Sequence, residues 1–352
     1  MGAMSDPARA SKDRGDLVQA LQATSSGWGS ALTAPPLRTS DGLAADSPMG
    51  WHGVPWWQHV AVRAPAFMAV AVATWAAVSG VCLLAGIHAG SAWFVPVLFE
   101  LVPAVTAYAV VVRVLERRRT AIEYAPRRWT GLPAGLALGA VVCLVVTANI
   151  WALGGIELVG FNADPPWLNR LVSLGLVAGI AEEIGFRGVL FRYAESLLGT
   201  WAAVAVSALV FGALHLGNTN ATLTGAVAIA LEAGVMFAVL YALTRSLWVV
   251  VGVHAGWNLM QGLGLGIVVS GSSNSGQGFL VSHPRGPELV SGGSFGIEAS
   301  VVAVVVWLLV VAYLSWRLVR GGGVVRPGWA RHQRFPGNPS SVAASVSGVR
   351  PA

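Results

Sequence analysis

Long apolar runs separated by short polar stretches fill the middle of the chain, and the two ends lack them. Each run is close to the ~20 residues that a helix needs to cross ~30 Å of hydrocarbon. The pattern predicts eight membrane helices, at about 64–88, 92–113, 131–153, 169–191, 200–217, 222–243, 246–269 and 299–318. The expected fold class is an all-α polytopic membrane protein, a bundle of about eight transmembrane helices with a polar intramembrane cavity. Residues 1–60 mix charge with Ser, Gly and Pro, show no periodicity, and read as a disordered cytoplasmic region ending in an interfacial cluster of Trp51, Trp56 and Trp57. Residues 61–320 are the expected membrane domain, and 321–352 a disordered basic cytoplasmic tail.

Composition sharpens that picture. The 352 residues are 55% hydrophobic and 11% charged, against roughly 25% charged for soluble domains. A net charge of +6 could suit nucleic acid, but the arginines gather at the ends of apolar runs, as topology signals do, so nucleic acid is not an expected partner. The densest cluster, Arg113, Arg117, Arg118, Arg119, Arg127 and Arg128, marks a cytoplasmic loop, and counting crossings from it puts both termini in the cytoplasm. The expected location is a bacterial plasma membrane, with the lipid bilayer as a partner. The Gly/Ser-rich loop at 270–298 then falls outside, as a flexible connector. Cys82 and Cys143 lie in separate apolar segments with no metal or redox spacing and read as small packing residues.

Charge inside an apolar run is costly, roughly 2.5–3.5 kcal/mol per residue at the centre of a membrane helix. The fourth run nevertheless contains Glu182, Glu183 and Arg187. On a helix Glu183 and Arg187 stand four apart and can pair, which leaves Glu182 pointing elsewhere and free to face a cavity. In the fifth run Phe211 and His215 are four apart, so the ring can pack on and orient the imidazole; in the seventh, His254 and Asn258 share a face, with Ala255 and Gly256 leaving room beside them. Taken singly, each histidine is more often a satisfied packing residue than a catalyst, and the Glu183–Arg187 pair is more often structural. Glu100 and Glu232 are further carboxylates in apolar runs and are assigned no catalytic role. Together the set places a carboxylate, two imidazoles and an amide in three helices that can meet in one cavity. By helical rise His215 comes out nearer the outer face than Glu182 and His254, unless a surface helix at Tyr193 to Leu198 shortens or tilts the fifth segment.

A carboxylate and an imidazole holding one water can act as general base and orienting partner, and a second imidazole with an amide can stabilise an oxyanion. The residues Glu182-Glu183-Ile184-Gly185-Phe186-Arg187, Phe211 to His215 and His254 to Asn258 resemble the EExxxR, FxxxH and HxxxN motifs of the CPBP family, the CAAX prenyl protease and bacteriocin-processing intramembrane peptidases of the Rce1 and Abi type. The three motifs occur in the family's order over about 168–262. The resemblance implies an intramembrane glutamic endopeptidase in which Glu182 activates water with His215, His254 and Asn258 form the oxyanion site, and Glu183 with Arg187 fixes the first motif. It also implies a cavity open toward the cytosol and membrane, a membrane-associated protein or peptide as substrate, and no cofactor. Gly185 stands where many members carry a bulkier residue, which leaves the local packing open. Two alternatives remain: a zinc metalloprotease with Glu182, His215 and His254 as ligands, although the chain has no HExxH, and a non-catalytic membrane immunity or binding protein on the same scaffold.

Overall fold

A computed structural model of the chain describes residues 59–87, 93–118, 121–273 and 276–328. The tryptophan cluster before residue 58, His88, Arg119 and the end of the C-terminal tail lie outside the described residues. The chain forms a helical bundle: α1 Val60–Leu84, α2 Val97–Leu115, α3 Gly131–Ala152, α4 spanning 167–198, α5 Thr200–Leu214, α6 Leu223–Thr244, α7 spanning 247–264 and α8 Val301–Arg320. Six of these, all but α4 and α7, lie in helices long and apolar enough to cross a membrane. The other two carry the ionisable and amide side chains, and α7 is buried along nearly its whole length by its neighbours. The protein is a multi-pass membrane protein, and its polar helices sit where protein rather than lipid surrounds them.

Two expectations about the helices need correcting. The proposed surface helix at Tyr193 to Leu198 is the last part of α4, with Arg192 to Ser196 buried; Gly199, at φ 82°, then turns the chain into α5. The seventh segment does not stay helical to residue 269: α7 ends at Gly264, and residues 267–269 fold back as buried irregular chain. The 270–298 loop is likewise more than a connector. Its Leu280–Pro284 pairs antiparallel with Ile156–Phe161, a two-stranded ribbon (β2 with β1) at one end of an otherwise helical molecule.

A glycine seam holds α7 against α3. Gly131, Gly135 and Gly139 recur every four residues on α3, and Gly252 and Gly256 do so on α7. A Cβ at Gly135 would sit 2.5 Å from the Val249 carbonyl oxygen, and one at Gly256 would overlap the backbone carbonyl of Leu136. With no side chain between them the two backbones approach closely, which is how membrane helices gain packing where lipid tails remove any hydrophobic drive. Gly256 is therefore small for the sake of α3, not to leave space beside His254.

Most of the arginines collect at one end of the bundle; Arg170 and Arg285 lie at the other, by the β ribbon. Glu116, at the end of α2, accepts from Arg192 at 2.6 Å and from Arg118 at 2.6 Å, with Arg63 of α1 at 4.0 Å. Glu123 accepts from Arg118 and from Tyr108. Burial alone would raise the Glu123 carboxyl, but the Arg192 and Arg118 guanidinium groups more than offset it and hold it down at about 2. Arg245 pairs with Glu195, Arg128 donates to the Thr244 and Arg245 carbonyls, and Thr200 N donates to Val325 O. Ion pairs that join α1, α2 and α4 thus close the end of the molecule opposite the β ribbon.

Candidate active site

Glu182, His215, His254 and Asn258 reach one cavity of about 160 Å³ from α4, the end of α5 and α7. That is room for several waters at ~30 Å³ each. Phe211, Met236, Phe237, Trp257 and Trp307 supply much of the apolar wall.

Helix α4 is wound unevenly around its acidic pair. Gly179–Glu183 is α-helical, whereas Leu171–Ala178 and Ile184–Phe191 on either side are π-helical, a wider winding that often accompanies functional sites. Glu182 is on the cavity side. Its side chain keeps 34% of its surface exposed, and its Oε2 has no hydrogen-bond partner among the described residues and lies 4.0 Å from His254 Nε2. Glu183 faces the protein and is fully buried. Its Oε1 accepts from Arg187 Nη1 at 2.9 Å and from His254 Nδ1 at 2.9 Å. Arg187 in turn donates from Nη2 to the carbonyls of Ala233 and Gly234 on α6, at 3.3 and 3.2 Å. Its guanidinium lies 4.8 Å from the Phe211 ring centre and 5.0 Å from that of Phe237, so aromatic faces replace water around the charge. A Cβ at Gly185 would meet nothing within 4 Å, so the small residue there leaves open space rather than a packing fault.

The two imidazoles differ in what holds their Nδ1. His254 Nδ1 meets the Glu183 carboxylate, and the ring stacks on Phe237 at 4.9 Å and 22°. His215 begins the tight turn His215–Gly217 that ends α5, and its Nδ1 lies 2.7 Å from the Phe211 carbonyl oxygen. A carbonyl only accepts, so His215 Nδ1 carries the proton and Nε2 keeps its lone pair when the ring is neutral. Phe211 thus orients His215 by its carbonyl as well as by its ring, whose centre is 4.6 Å away. The short final turn of α5, rather than a surface helix, lets His215 join the other residues at the cavity.

Sequence reasoning passed over three contributors. Phe237, which stacks on His254, looks like any apolar residue in its run. Glu232 is a visible intramembrane carboxylate, but nothing local shows that it lines the same cavity. Glu298 stands just before the last apolar run; its Oε1 accepts from Ser270 N at 3.0 Å and its Oε2 from Gln261 Nε2 at 2.6 Å. Burial pushes its carboxyl up to about 7, against the pull of those hydrogen bonds. Among the described residues, no group of three or more His, Cys, Asp or Glu side chains is placed to hold a metal ion.

The cavity is set away from the arginine-rich end. His215 is at the far end of α5 from Gly199, and Val269, Ser270, Ser272 and Glu298 of the long connection complete the wall. Asn218 and Asn220 donate to the Ser270 and Ser272 carbonyls, which ties that connection to the end of α5. An opening toward the cytosol, as the family resemblance implies, would require the arginine-poor end to be the cytoplasmic one.

A multi-pass membrane protein whose helices converge on a carboxylate, two imidazoles and an amide in a water-sized cavity has the equipment of an intramembrane hydrolase. Residues 164–260, the segment that holds the three motifs, match the family described as Rce1-like, Type II CAAX prenyl endopeptidase Rce1-like. No curated protein and no solved structure matches the chain.

Proposed function

We propose that the protein is a metal-independent intramembrane glutamic endopeptidase that hydrolyses a peptide bond in a membrane-associated protein or peptide. The observation that supports this reading best is the meeting of Glu182, His215, His254 and Asn258 on one cavity within a segment matched by a CAAX protease family. Glu182 and His215 hold the attacking water. The lone pair on His215 Nε2 accepts one water proton and the Glu182 carboxylate the other, which leaves an oxygen lone pair aimed at the scissile carbonyl. As the carbon–oxygen bond forms, the proton passes to Glu182, and the carbonyl oxygen becomes an oxyanion. His254, held at Nδ1 by Glu183 with its Nε2 turned to the cavity side 4.0 Å from Glu182, and the Asn258 amide face that oxyanion and stabilise it by donating N–H groups. Collapse of the intermediate breaks the carbon–nitrogen bond, and Glu182 returns the proton to the leaving amine.

The deciding experiment compares membrane proteomes of cells carrying the intact chain or Glu182→Gln, with purified protein assayed in chelator alongside. New peptide termini should appear with the intact chain alone, and cleavage should survive chelation. Equal termini in both strains would remove the catalytic reading in favour of a binding or immunity protein, and loss of cleavage on chelation would favour zinc held by Glu182, His215 and His254.

A further inference from the structure

Resting on the reading of this cavity as a protease site, we propose that Glu232 and Glu298 form a subsite for a basic substrate side chain, a Lys ammonium or an Arg guanidinium, next to the reacting centre. The two carboxylates face the cavity from the middle of α6 and from the residues preceding α8, close enough to interact electrostatically. Both are buried, and Glu232 Oε2 has no hydrogen-bond partner among the described residues.

Their surroundings set them apart from the molecule's other buried acids. Glu123, Glu183 and Glu195 each pair with an arginine, whereas among the described residues neither Glu232 nor Glu298 has a cationic partner. The donors around Glu298 are all neutral: Gln261 Nε2, Ser270 N and Ser270 Oγ. They fix the carboxylate in place without cancelling its charge. Arg187 cannot serve, because it is committed to Glu183. With Glu182 the cavity wall holds three acidic side chains and, among the described residues, no Lys or Arg; its two imidazoles, His215 and His254, are those of the reacting centre. Buried carboxylates without a cation are poorly satisfied, and a ligand bringing the missing charge would be held by charge-assisted hydrogen bonds. Trp257 and Trp307, with ring centres 5.3 Å apart, belong to the same wall and offer aromatic surface to an alkyl stem or a cationic head. An acidic side chain at this position would meet like charge.

The test uses the full-length protein in detergent and a library of palmitoylated, internally quenched peptides. One position at a time is Lys, Arg, Gln or norleucine and the rest are randomised. At about pH 8 one position should favour Lys or Arg over norleucine by at least about 10-fold in kcat/KM. Glu232→Gln should bring that ratio below about 2-fold, and so should lowering the wild-type protein to about pH 6, where Glu298 takes up a proton. The pH arm needs no variant, so a misfolded Glu232→Gln would not decide the matter. The same peptides, labelled with a fluorophore, are also bound to Glu182→Gln protein and to the Glu182→Gln, Glu232→Gln double variant. A preference for basic peptides in the first that is lost in the second establishes the subsite even if wild-type protein cuts nothing, in which case the protease reading alone falls. Cleavage or binding with no basic preference, or a preference that Glu232→Gln leaves intact, overturns the subsite whether or not the protein is a protease.

Discussion

The Nδ1 atom of His254 lies 2.9 Å from Oε1 of Glu183, the same oxygen that accepts from Arg187. One buried carboxylate therefore joins the ion pair inside α4 to the imidazole on α7, and Arg187 extends the link to the α6 backbone. Nδ1 of both histidines faces an acceptor, and the two differ in its charge: in the proposed reaction a carboxylate behind His254 supports a positive ring, the form that can donate from Nε2, whereas the neutral carbonyl behind His215 leaves Nε2 as the acceptor. Glu183→Gln should accordingly reduce cleavage by roughly 100-fold or more and lower the melting temperature, since breaking a buried pair typically costs about 3–5 kcal/mol. Wild-type melting in that variant would show that the pair does not hold the helices together.

Asn258 presents its amide to the cavity from the same face of α7 as His254, one turn further along. If it donates to the developing oxyanion, the interaction strengthens only in the transition state, so the loss belongs to turnover. Asn258→Ala should lower kcat by about 100- to 1000-fold with KM within a few-fold of wild type. A change confined to KM would place Asn258 in substrate binding instead.

The position of α7, and with it His254 and Asn258, depends on the glycine seam. Gly256→Val would drive a side chain into the Leu136 backbone, which has no flexible end to move aside. The variant should lose about 1–3 kcal/mol of stability and most of its activity together. Gly185→Val, on the helix that carries Glu182 but facing open space, should keep its wild-type melting temperature. Thermal melts in one detergent compare the two directly, and equal melting of both variants would mean that the seam yields without cost.

Much of this was legible in the sequence because membrane helices announce themselves locally. Run length located the apolar helices, and the four-residue spacings of Glu183 with Arg187, Phe211 with His215 and His254 with Asn258 put the right pairs on common faces. The glycine spacing on α3 and α7 was also visible and points to close helix packing, yet no one-helix pattern says which helix is the partner. Pairing of Ile156–Phe161 with Leu280–Pro284 could not be read at all: the strands are short, without clean alternation, and separated by more than a hundred residues. Separation in sequence, 40 residues even from Asn258, also hid Glu298 from the cavity it lines. The arginine loop was read as a topology signal alone, because the acids that pair with it, Glu116 and Glu123, stand among the arginines while Arg63 and Arg192 arrive from other helices.

The placement of the cavity makes membrane orientation testable. Arg118, Arg128, Arg192 and Arg245 gather at one end of the bundle, and the cavity lies toward the other. If the positive end is cytoplasmic, as loop charge dictates, Ser273 on the exposed connection beside the cavity is outside the cell. Ser273→Cys should then react with a membrane-impermeant thiol reagent added to intact cells, whereas Cys82 and Cys143 are buried and should stay silent. Labelling only after lysis would reverse the orientation and put the cavity on the cytosolic side.

Glu298 gives the fold a pH dependence whose sign is fixed by its environment. Burial raises its carboxyl from 4.5 to about 7, so the folded chain holds a proton that the unfolded chain has already released. The stabilisation is complete below about pH 4.5 and is lost as the pH rises through about 7. At ~1.4 kcal/mol per unit the upper bound is about 3 kcal/mol. Glu298→Gln, which mimics the protonated form at every pH, should melt close to wild type at about pH 5 and above it at about pH 8. Melting curves taken across that window would refute the assignment if the gap stayed constant or opened toward acid.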